Sequence, residues 1–210
     1  IKKFIYASSS SVYGIKKETN VTEDLSCVPL TTYNKTKMVA EKVFLNYKNK
    51  MQVHCIRPAT VCGISPRLRL DVSVNLLTYQ AVKNKLMTIH GGKQIRPNIH
   101  IQDLINVYIH FLNNPHLNSG CYNAGFENLS ILEIAYKIKK KIKCKITITR
   151  NSNDPRSYRQ CSDKLLATGF KQKFGVENAI NQLIKKFKDK KFKSNDQNYT
   201  VKWMKKIKLG

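Results

Sequence analysis

The order of apolar segments at the start of the chain is the feature that most restricts its fold. A short apolar run, Lys3–Ala7, is closed by serines and indicates a buried strand. Apolar residues then recur at helical spacing between residues 32 and 48, and a second apolar run, Met51–Ile56, ends at Arg57 and Pro58. Strand, helix and strand in this order form the βαβ unit of a parallel sheet, so we predict an α/β fold.

The rest of the chain continues to alternate between strand and helix patterns. Asp103 is predicted to be the N-cap of a helix through Asn113, and Ser130 with Glu133 forms a capping-box pattern. The polar tail from Lys190 has Trp203 as its only large anchor. The other predicted helices cover residues 71–84 and 130–143 and the stretches after Ser162 and Val176, and the other predicted strands cover residues 86–89, 98–101, 121–123 and 145–149.

The net charge of +25 raises the question of a nucleic-acid partner, and the composition argues against one. Of the 38 basic residues, 31 are lysine and seven are arginine, and the lysines are spread along the chain. Base readout and stacking favour arginine interleaved with aromatic residues on one surface. We therefore predict no nucleic-acid binding, although a positive field would attract an anionic substrate such as a sugar nucleotide.

The sequence also disfavours a membrane protein, a secreted disulfide-bonded protein and a metal-binding protein. No apolar run reaches the length of a membrane span, and no signal peptide is visible, so we expect no membrane partner. The six cysteines are scattered, with no C-x-x-C pattern and no histidine at metal-ligand spacing from them. We expect reduced thiols, no metal site and a cytoplasmic location.

The pair Tyr33 and Lys37 carries the most specific chemistry. A tyrosine four residues before a lysine places both side chains on one face of a helix, one turn apart. A free tyrosine is a poor base near neutral pH, and a cation one turn away favours its phenolate. A hydroxyl from Ser9 or a neighbouring serine would complete a site for moving a proton to or from an alcohol. On spacing alone, the alternative is a solvated helix face.

Six segments in a fixed order carry a resemblance to a known family: Phe4–Gly14, Tyr33–Lys37, Arg57–Gly63, Gly92–Asp103, Tyr122–Gly125 and Asp154–Arg156. With them, the chain resembles an extended short-chain dehydrogenase/reductase of the NAD-dependent epimerase/dehydratase family, most like UDP-glucose 4-epimerases. The resemblance covers nearly the whole chain. It implies the C-terminal half of a Rossmann-type doubly wound parallel sheet together with a small α+β substrate-binding lobe.

The resemblance also implies roles for individual residues. Tyr33 would be the acid/base that takes the substrate hydroxyl proton, and Lys37 would bind the nicotinamide ribose and favour the phenolate. Ser9 would orient the substrate oxygen, with Ser10 or Ser11 as alternatives. The implied NAD-binding residues are Ala7, Ser8, Tyr33, Lys37, Pro58, Ala59 and Thr60. The implied substrate-binding residues are Ser9, Ser10, Asn75, Arg96 and Arg156, with the two arginines clamping the diphosphate.

Several of these positions keep a structural alternative. Pro58 would simply end a strand, and Asn75 would be a residue on a helix surface. His100 is more typical of a structural hydrogen-bonding residue than of a catalyst, and Asp103 of a helix cap than of a site carboxylate.

The resemblance also bears on the reaction. Family dehydratases carry a glutamate directly before the V-Y-G or L-Y-G pattern, where it is a second base. The corresponding residues here are Ser10 and Ser11, whose hydroxyls titrate far too high. Dehydration is therefore disfavoured, which leaves 4-epimerisation of a nucleoside-diphosphate sugar. The alternatives are a dehydrogenase or 4-ketoreductase of the same family, and a binding protein or inactive fragment.

The glycine-rich turn that holds the dinucleotide pyrophosphate in this family has no counterpart among the nine glycines. We therefore expect a fragment that binds NAD poorly or not at all alone. Separately, the resemblance implies a homodimer for the full-length protein, in which the Tyr33 helix packs against its counterpart. The predicted division assigns residues 1–64 and 96–123 to the sheet domain. It assigns residues 65–95 and 124–190 to the lobe, and residues 191–210 to a basic tail.

Overall fold

A computed structural model describes residues 1–149 and 157–208 as alternating strands and helices. The strands are β1 (Lys3–Ala7), β2 (Gln52–Pro58), β3 (Thr60–Cys62), β4 (Leu86–His90), β5 (Ile95–His100), β6 (Gly120–Ala124), β7 (Glu127–Ser130) and β8 (Lys145–Thr149). The helices are α1 (Thr32–Leu45), α2 (Ser73–Asn84), α3 (Ile101–Asn113), α4 (Ile131–Lys139), α5 (Asp163–Leu166), α6 (Val176–Lys188) and α7 (Thr200–Lys206). Two short 3₁₀ turns cover Ser10–Tyr13 and Asp196–Asn198.

The central sheet has the order β1-β2-β6, and both pairings are parallel. Because side chains alternate across a strand, the two faces of the sheet are covered by different helices. On one face, Phe44 of α1 packs against Phe4 of β1, with ring centroids 4.5 Å apart. On the other face, Phe111 of α3 packs against Tyr122 of β6 at 4.8 Å. Helices on both faces of a parallel sheet confirm the predicted α/β fold class.

Two smaller sheets and a second core form the rest of the molecule. Strand β5 lies between β3 and β7, parallel to β3 and antiparallel to β7, and β4 pairs with β8. Helices α2, α4 and α6 enclose the second core, which includes Leu77, Ile134, Ile180 and Phe187. Strands from both predicted domains share the β3-β5-β7 sheet, and the division into sheet domain and lobe stays a prediction.

Several element boundaries differ from those predicted. Helix α3 begins at Ile101, and its N-cap is His100, whose side chain accepts a hydrogen bond from the backbone N–H of Gln102. The prediction of Asp103 as the N-cap was therefore wrong, although the helix does run through Asn113. The buried Asp103 carboxylate instead accepts hydrogen bonds from the backbone N–H groups of Lys173 and Phe174. The capping box of Ser130 and Glu133 is confirmed.

The basic tail contains a helix, α7, that was not predicted. It is held to the second core by Phe192 and Tyr199, which pack against that core, rather than by Trp203 alone. The six cysteines are free thiols. In the part of the chain that the structure describes, no helix has the length and apolar character needed to cross a bilayer.

Candidate functional site

Helix α1 brings Tyr33 and Lys37 to the carboxyl end of β1. The helix begins at Thr32 because the side chain of Thr31 accepts a hydrogen bond from the backbone N–H of Asn34. The Nζ of Lys37 donates a hydrogen bond of 2.7 Å to the carbonyl oxygen of Ala7, the last residue of β1. The same Nζ lies 5.6 Å from the centroid of the Tyr33 ring. The ammonium of Lys37 thus lies near the ring of Tyr33, a residue that is 56% exposed, and the catalytic roles of the two stay predictions.

The serine run forms a turn that is fastened to the same helix. Ser9 caps the 3₁₀ turn, and its hydroxyl lies 2.8 Å from the hydroxyl of Ser11. The Ser11 hydroxyl donates to Oδ1 of Asn34 at 2.8 Å, one residue after Tyr33. Ser10 instead points into the interior, where it accepts a hydrogen bond from the Tyr158 hydroxyl. Ser9 and Ser11 are thus joined to the helix of Tyr33, and Ser10 is not.

The residues predicted to hold the cofactor lie where the central sheet ends. The backbone N–H of Ser8 donates to the carbonyl of Ile56 at 2.8 Å, and that of Ala59 donates to Ala124 at 2.8 Å. Pro58 is the last residue of β2, and Thr60 starts β3 in another sheet, so the chain changes sheets at Ala59. Ligands of open α/β sheets bind in the crevice beyond the carboxyl ends of such strands.

Two buried polar atoms at this end of β1 have no hydrogen-bond partner within the described ranges. They are the hydroxyl oxygen of Ser8 and the side-chain nitrogen of Asn34. Buried polar groups without a partner are rare in proteins and are often found where a ligand supplies the missing partner. They therefore fit a site that a polar ligand completes.

The residues predicted to bind substrate are placed on other elements. Asn75 lies on α2 and is buried, so it is not a residue of the helix surface. Its Oδ1 accepts the backbone N–H of Gly63 at 3.0 Å, and its Nδ2 donates to the carbonyl of Arg69 at 2.9 Å. Arg96 lies on β5 and donates from Nη1 to the carbonyl of Ile95. Arg156 lies outside the described residues, and the substrate roles of all three stay predictions.

The contacts of Asn75 lead to a prediction about stability. Replacing Asn75 with alanine leaves the buried N–H of Gly63 without an acceptor, so we expect the free energy of unfolding to fall by about 1–3 kcal/mol. Urea unfolding measures this change. Asn84→Ala, at the exposed last position of the same helix, is the matched control. Equal stabilities of the two variants would contradict the structural role of Asn75.

The sequence reasoning missed a buried polar cluster behind the Tyr33 helix. Glu41 of α1 and Arg57 of β2 form two hydrogen bonds, of 2.9 and 2.8 Å. Arg57 also donates to the hydroxyl of Tyr13, which donates to Asn123 on β6. Position 41 is two helical turns from Tyr33 on the same face, so its helical spacing was visible in the sequence, but its partner 16 residues away was not.

Comparisons with known proteins identify the family of the chain. The sequence profile described as the NAD dependent epimerase/dehydratase family matches residues 1–125, which is more than half of the chain. The chain belongs to this family. Membership confirms the resemblance inferred from the six sequence segments.

Individual relatives of this family are similar over much of the chain. An uncharacterized UDP-glucose epimerase, YtcB of Bacillus subtilis (strain 168), is 36% identical over 143 residues, covering 66% of this chain and 44% of the relative. The UDP-glucose 4-epimerase of Dictyostelium discoideum is 27% identical over 204 residues, covering 81% of this chain and 58% of the relative. The chain thus spans about half the length of the curated relatives it matches.

Solved structures of family members share the fold. A UDP-glucuronic acid 4-epimerase from Bacillus cereus, solved with UDP-glucuronic acid and NAD, superimposes with a TM-score of 0.77 at 27% identity. The match covers 89% of this chain and 61% of that chain. An ADP-L-glycero-D-manno-heptose-6-epimerase from Helicobacter pylori, at 24% identity and a TM-score of 0.78, shows the same fold.

Proposed function

We propose that the protein containing this chain is an NAD-dependent epimerase of nucleoside-diphosphate sugars that acts at C4 of the sugar. The observation that carries this proposal is the Tyr33–Lys37 pair at the carboxyl end of β1, with Lys37 bonded to Ala7. The relatives named UDP-glucose 4-epimerase and the neighbour solved with UDP-glucuronic acid and NAD support the choice of substrate and cofactor.

Each site residue has a distinct task in this proposal. The Tyr33 phenolate takes the proton of the sugar hydroxyl and later returns it, which is general acid–base catalysis. Lys37 supplies the positive charge that favours the phenolate, and Ser9 donates a hydrogen bond to the sugar oxygen. NAD, when bound, accepts and returns the hydride. Because the exposed Tyr33 ring is open to a ligand, the substrate can reach it directly.

The residues present fit one end of NAD. The unpartnered hydroxyl of Ser8, with the adjacent Ala7, Pro58, Ala59 and Thr60, would hold the nicotinamide side beside Tyr33 and Lys37. The pyrophosphate requires a glycine-rich turn at a helix N-terminus, and the sequence has none. The isolated chain is therefore expected to bind NAD poorly, which calorimetric titration tests directly.

Two further properties belong to the proposal. The hydroxyls at Ser10 and Ser11, where dehydratases carry a glutamate, favour epimerisation over elimination of water. Val39 and Val43 on α1 and Tyr47 just after it are exposed apolar side chains at intervals of four residues, which supports a homodimer built on this helix in the full-length protein. Sedimentation velocity of that protein measures its oligomeric state, and a monomer would contradict this part of the proposal.

The test is turnover of UDP-glucose and UDP-glucuronic acid by the full-length protein with NAD. An epimerase forms the C4 epimer with no net change in NADH absorbance, since the hydride returns to the sugar. A dehydrogenase or 4-ketoreductase, the second candidate, changes NADH absorbance in proportion to product. Binding of the sugar nucleotide with neither product nor NADH change would identify a binding protein and refute the enzymatic proposal.

A further inference from the structure

A buried ion pair joins the Tyr33 helix to the central sheet. Arg57 of β2 is 5% exposed and Glu41 of α1 is 3% exposed. The guanidinium donates from Nε to one carboxylate oxygen at 2.9 Å and from Nη2 to the other at 2.8 Å. This two-bond geometry fixes orientation as well as distance, because the guanidinium and carboxylate planes match.

The position of Glu41 on α1 links this pair to the reacting residues. Tyr33, Lys37 and Glu41 follow one another at intervals of four residues, so they lie along one side of the helix. All residues of α1 are described, and only Asn34 and Glu41 are buried. Both are polar, and both bind partners on other elements, Ser11 and Arg57. The two fully buried side chains of the helix therefore hold it in place through hydrogen bonds, and its larger apolar side chains are only partly buried.

Arg57 also organises the turn that carries Ser9. Its Nη1 donates to the Tyr13 hydroxyl at 2.7 Å, and the guanidinium stacks on the Tyr13 ring, 4.9 Å from the centroid. The Tyr13 hydroxyl donates in turn to Oδ1 of Asn123 on β6 at 2.8 Å. Tyr13 ends the 3₁₀ turn that Ser9 caps. One guanidinium therefore contacts both pieces of the candidate site, the Tyr33 helix and the serine turn.

Stability alone gives no reason for charges at this position. Burying an ion pair costs desolvation of both groups, and well-packed apolar residues of similar volume are often as stabilising. What an apolar pair lacks is direction, which the two parallel hydrogen bonds supply. This contrast separates a positioning role from a structural one.

We propose that Glu41 and Arg57 are positioning residues. They hold the helix of Tyr33 and Lys37 at the distance from Ser9 that proton transfer requires. This inference rests on the proposed function and deepens it. It assigns no contact with substrate to either residue. Both act through the elements that they join.

The decisive experiment replaces the charges with apolar residues in the full-length protein. Glu41→Leu alone leaves Arg57 buried without its partner, so its urea midpoint should fall well below that of wild type. Adding Arg57→Met should restore the midpoint. We expect the double variant to keep a KM within about threefold of wild type and to lose at least about tenfold in kcat, because positioning acts on the reacting geometry.

A structural role predicts a different result. Full recovery of kcat together with the urea midpoint would overturn the proposal. If the double variant does not fold, Arg57→Lys replaces it, because lysine keeps the cation and cannot form both bonds to Glu41. Wild-type kcat in Arg57→Lys would likewise overturn it. The matched control is Lys141→Met with Glu177→Leu, an exposed ion pair between α6 and the end of α4, which should leave kcat unchanged.

A second measurement tests the positioning role independently of the proposed function. If the wild-type protein turns over no sugar nucleotide, the proposed function fails, and positioning is then measured by amide hydrogen exchange. Residues 32–37 should exchange at least about tenfold faster in the double variant, with exchange in β2 unchanged. Equal exchange at residues 32–37 in both proteins would overturn the positioning role.

Discussion

Replacing Tyr33 with phenylalanine is expected to lower kcat of the full-length protein by about 10²–10⁴-fold, the usual contribution of a positioned acid/base. The ring and its contact with Lys37 remain, while the hydroxyl that carries the proton is lost. Because the substitution removes a group that acts mainly in the transition state, the Kd for UDP-glucose should stay within about threefold of wild type. Steady-state turnover and calorimetric titration measure the two quantities.

An exposed tyrosine on another helix provides the control for this prediction. Tyr136 lies on α4 and is 53% exposed, so Tyr136→Phe removes an equivalent hydroxyl outside the candidate site. Its kcat should match wild type. A Tyr33→Phe protein that retains more than a tenth of wild-type kcat would exclude Tyr33 as the acid/base, while the fold and the family membership would stand.

Local patterns in the sequence were sufficient for elements whose boundaries depend on neighbouring residues. Strand β1 has the predicted bounds, and α1 begins at Thr32, where the helical spacing predicted. Asp103 shows the limit of this reasoning. A carboxylate is favourable in the first turn of a helix as well as at its N-cap, so the sequence alone does not distinguish the two positions. The hydrogen-bond partners of Asp103 lie 70 residues away along the chain. Strand β7 was missed because its four residues are all half-buried and lack an apolar alternation.

In the candidate site, too, local spacing predicts some residues, and the contacts of others depend on how the elements pack. The Tyr33–Lys37 spacing predicts a shared helix face. In the structure, Lys37 donates to the carbonyl of Ala7, and its Nζ lies 5.6 Å from the centroid of the Tyr33 ring. The contact of Arg57 with Glu41 and Tyr13 depends on how α1 and the serine turn pack on the sheet. No local pattern encodes that packing, so these residues emerged only from the fold. Asn75 was predicted to bind substrate, with a helix-surface position as the alternative. Its contacts with Gly63 and Arg69 in the preceding loop likewise depend on packing that the sequence does not show.

His54 is a titratable group sealed within the central sheet. It lies on β2, is 0% exposed, and packs against the rings of Phe111 and Tyr122. Burial and the nearby ammonium of Lys3 lower the pKa of His54 to about 4, against a smaller opposing effect from the backbone of Asn118. The neutral imidazole is therefore the form that the folded protein accommodates.

This environment should make the folded chain lose stability in mild acid. In the unfolded chain His54 has an ordinary pKa near 6.5. Between pH 6.5 and about 4, His54 is therefore protonated in the unfolded state and neutral in the folded state. Stability from this residue is complete above pH 6.5 and falls as the pH falls, by about 3 kcal/mol over this interval at 1.36 kcal/mol per pH unit. Urea unfolding from pH 7 to pH 4 measures the loss.

The variant His54→Phe separates this effect from the titration of carboxylates. Phenylalanine keeps an aromatic ring beside Phe111 and Tyr122 and takes up no proton, so wild type should lose about 3 kcal/mol more than His54→Phe between pH 6.5 and 4. His116→Phe, at an exposed loop position, should follow wild type because its histidine is already in water. Parallel stability curves for wild type and His54→Phe would mean that the sheet opens to hydrate the imidazole, and that α3 does not seal this face against water.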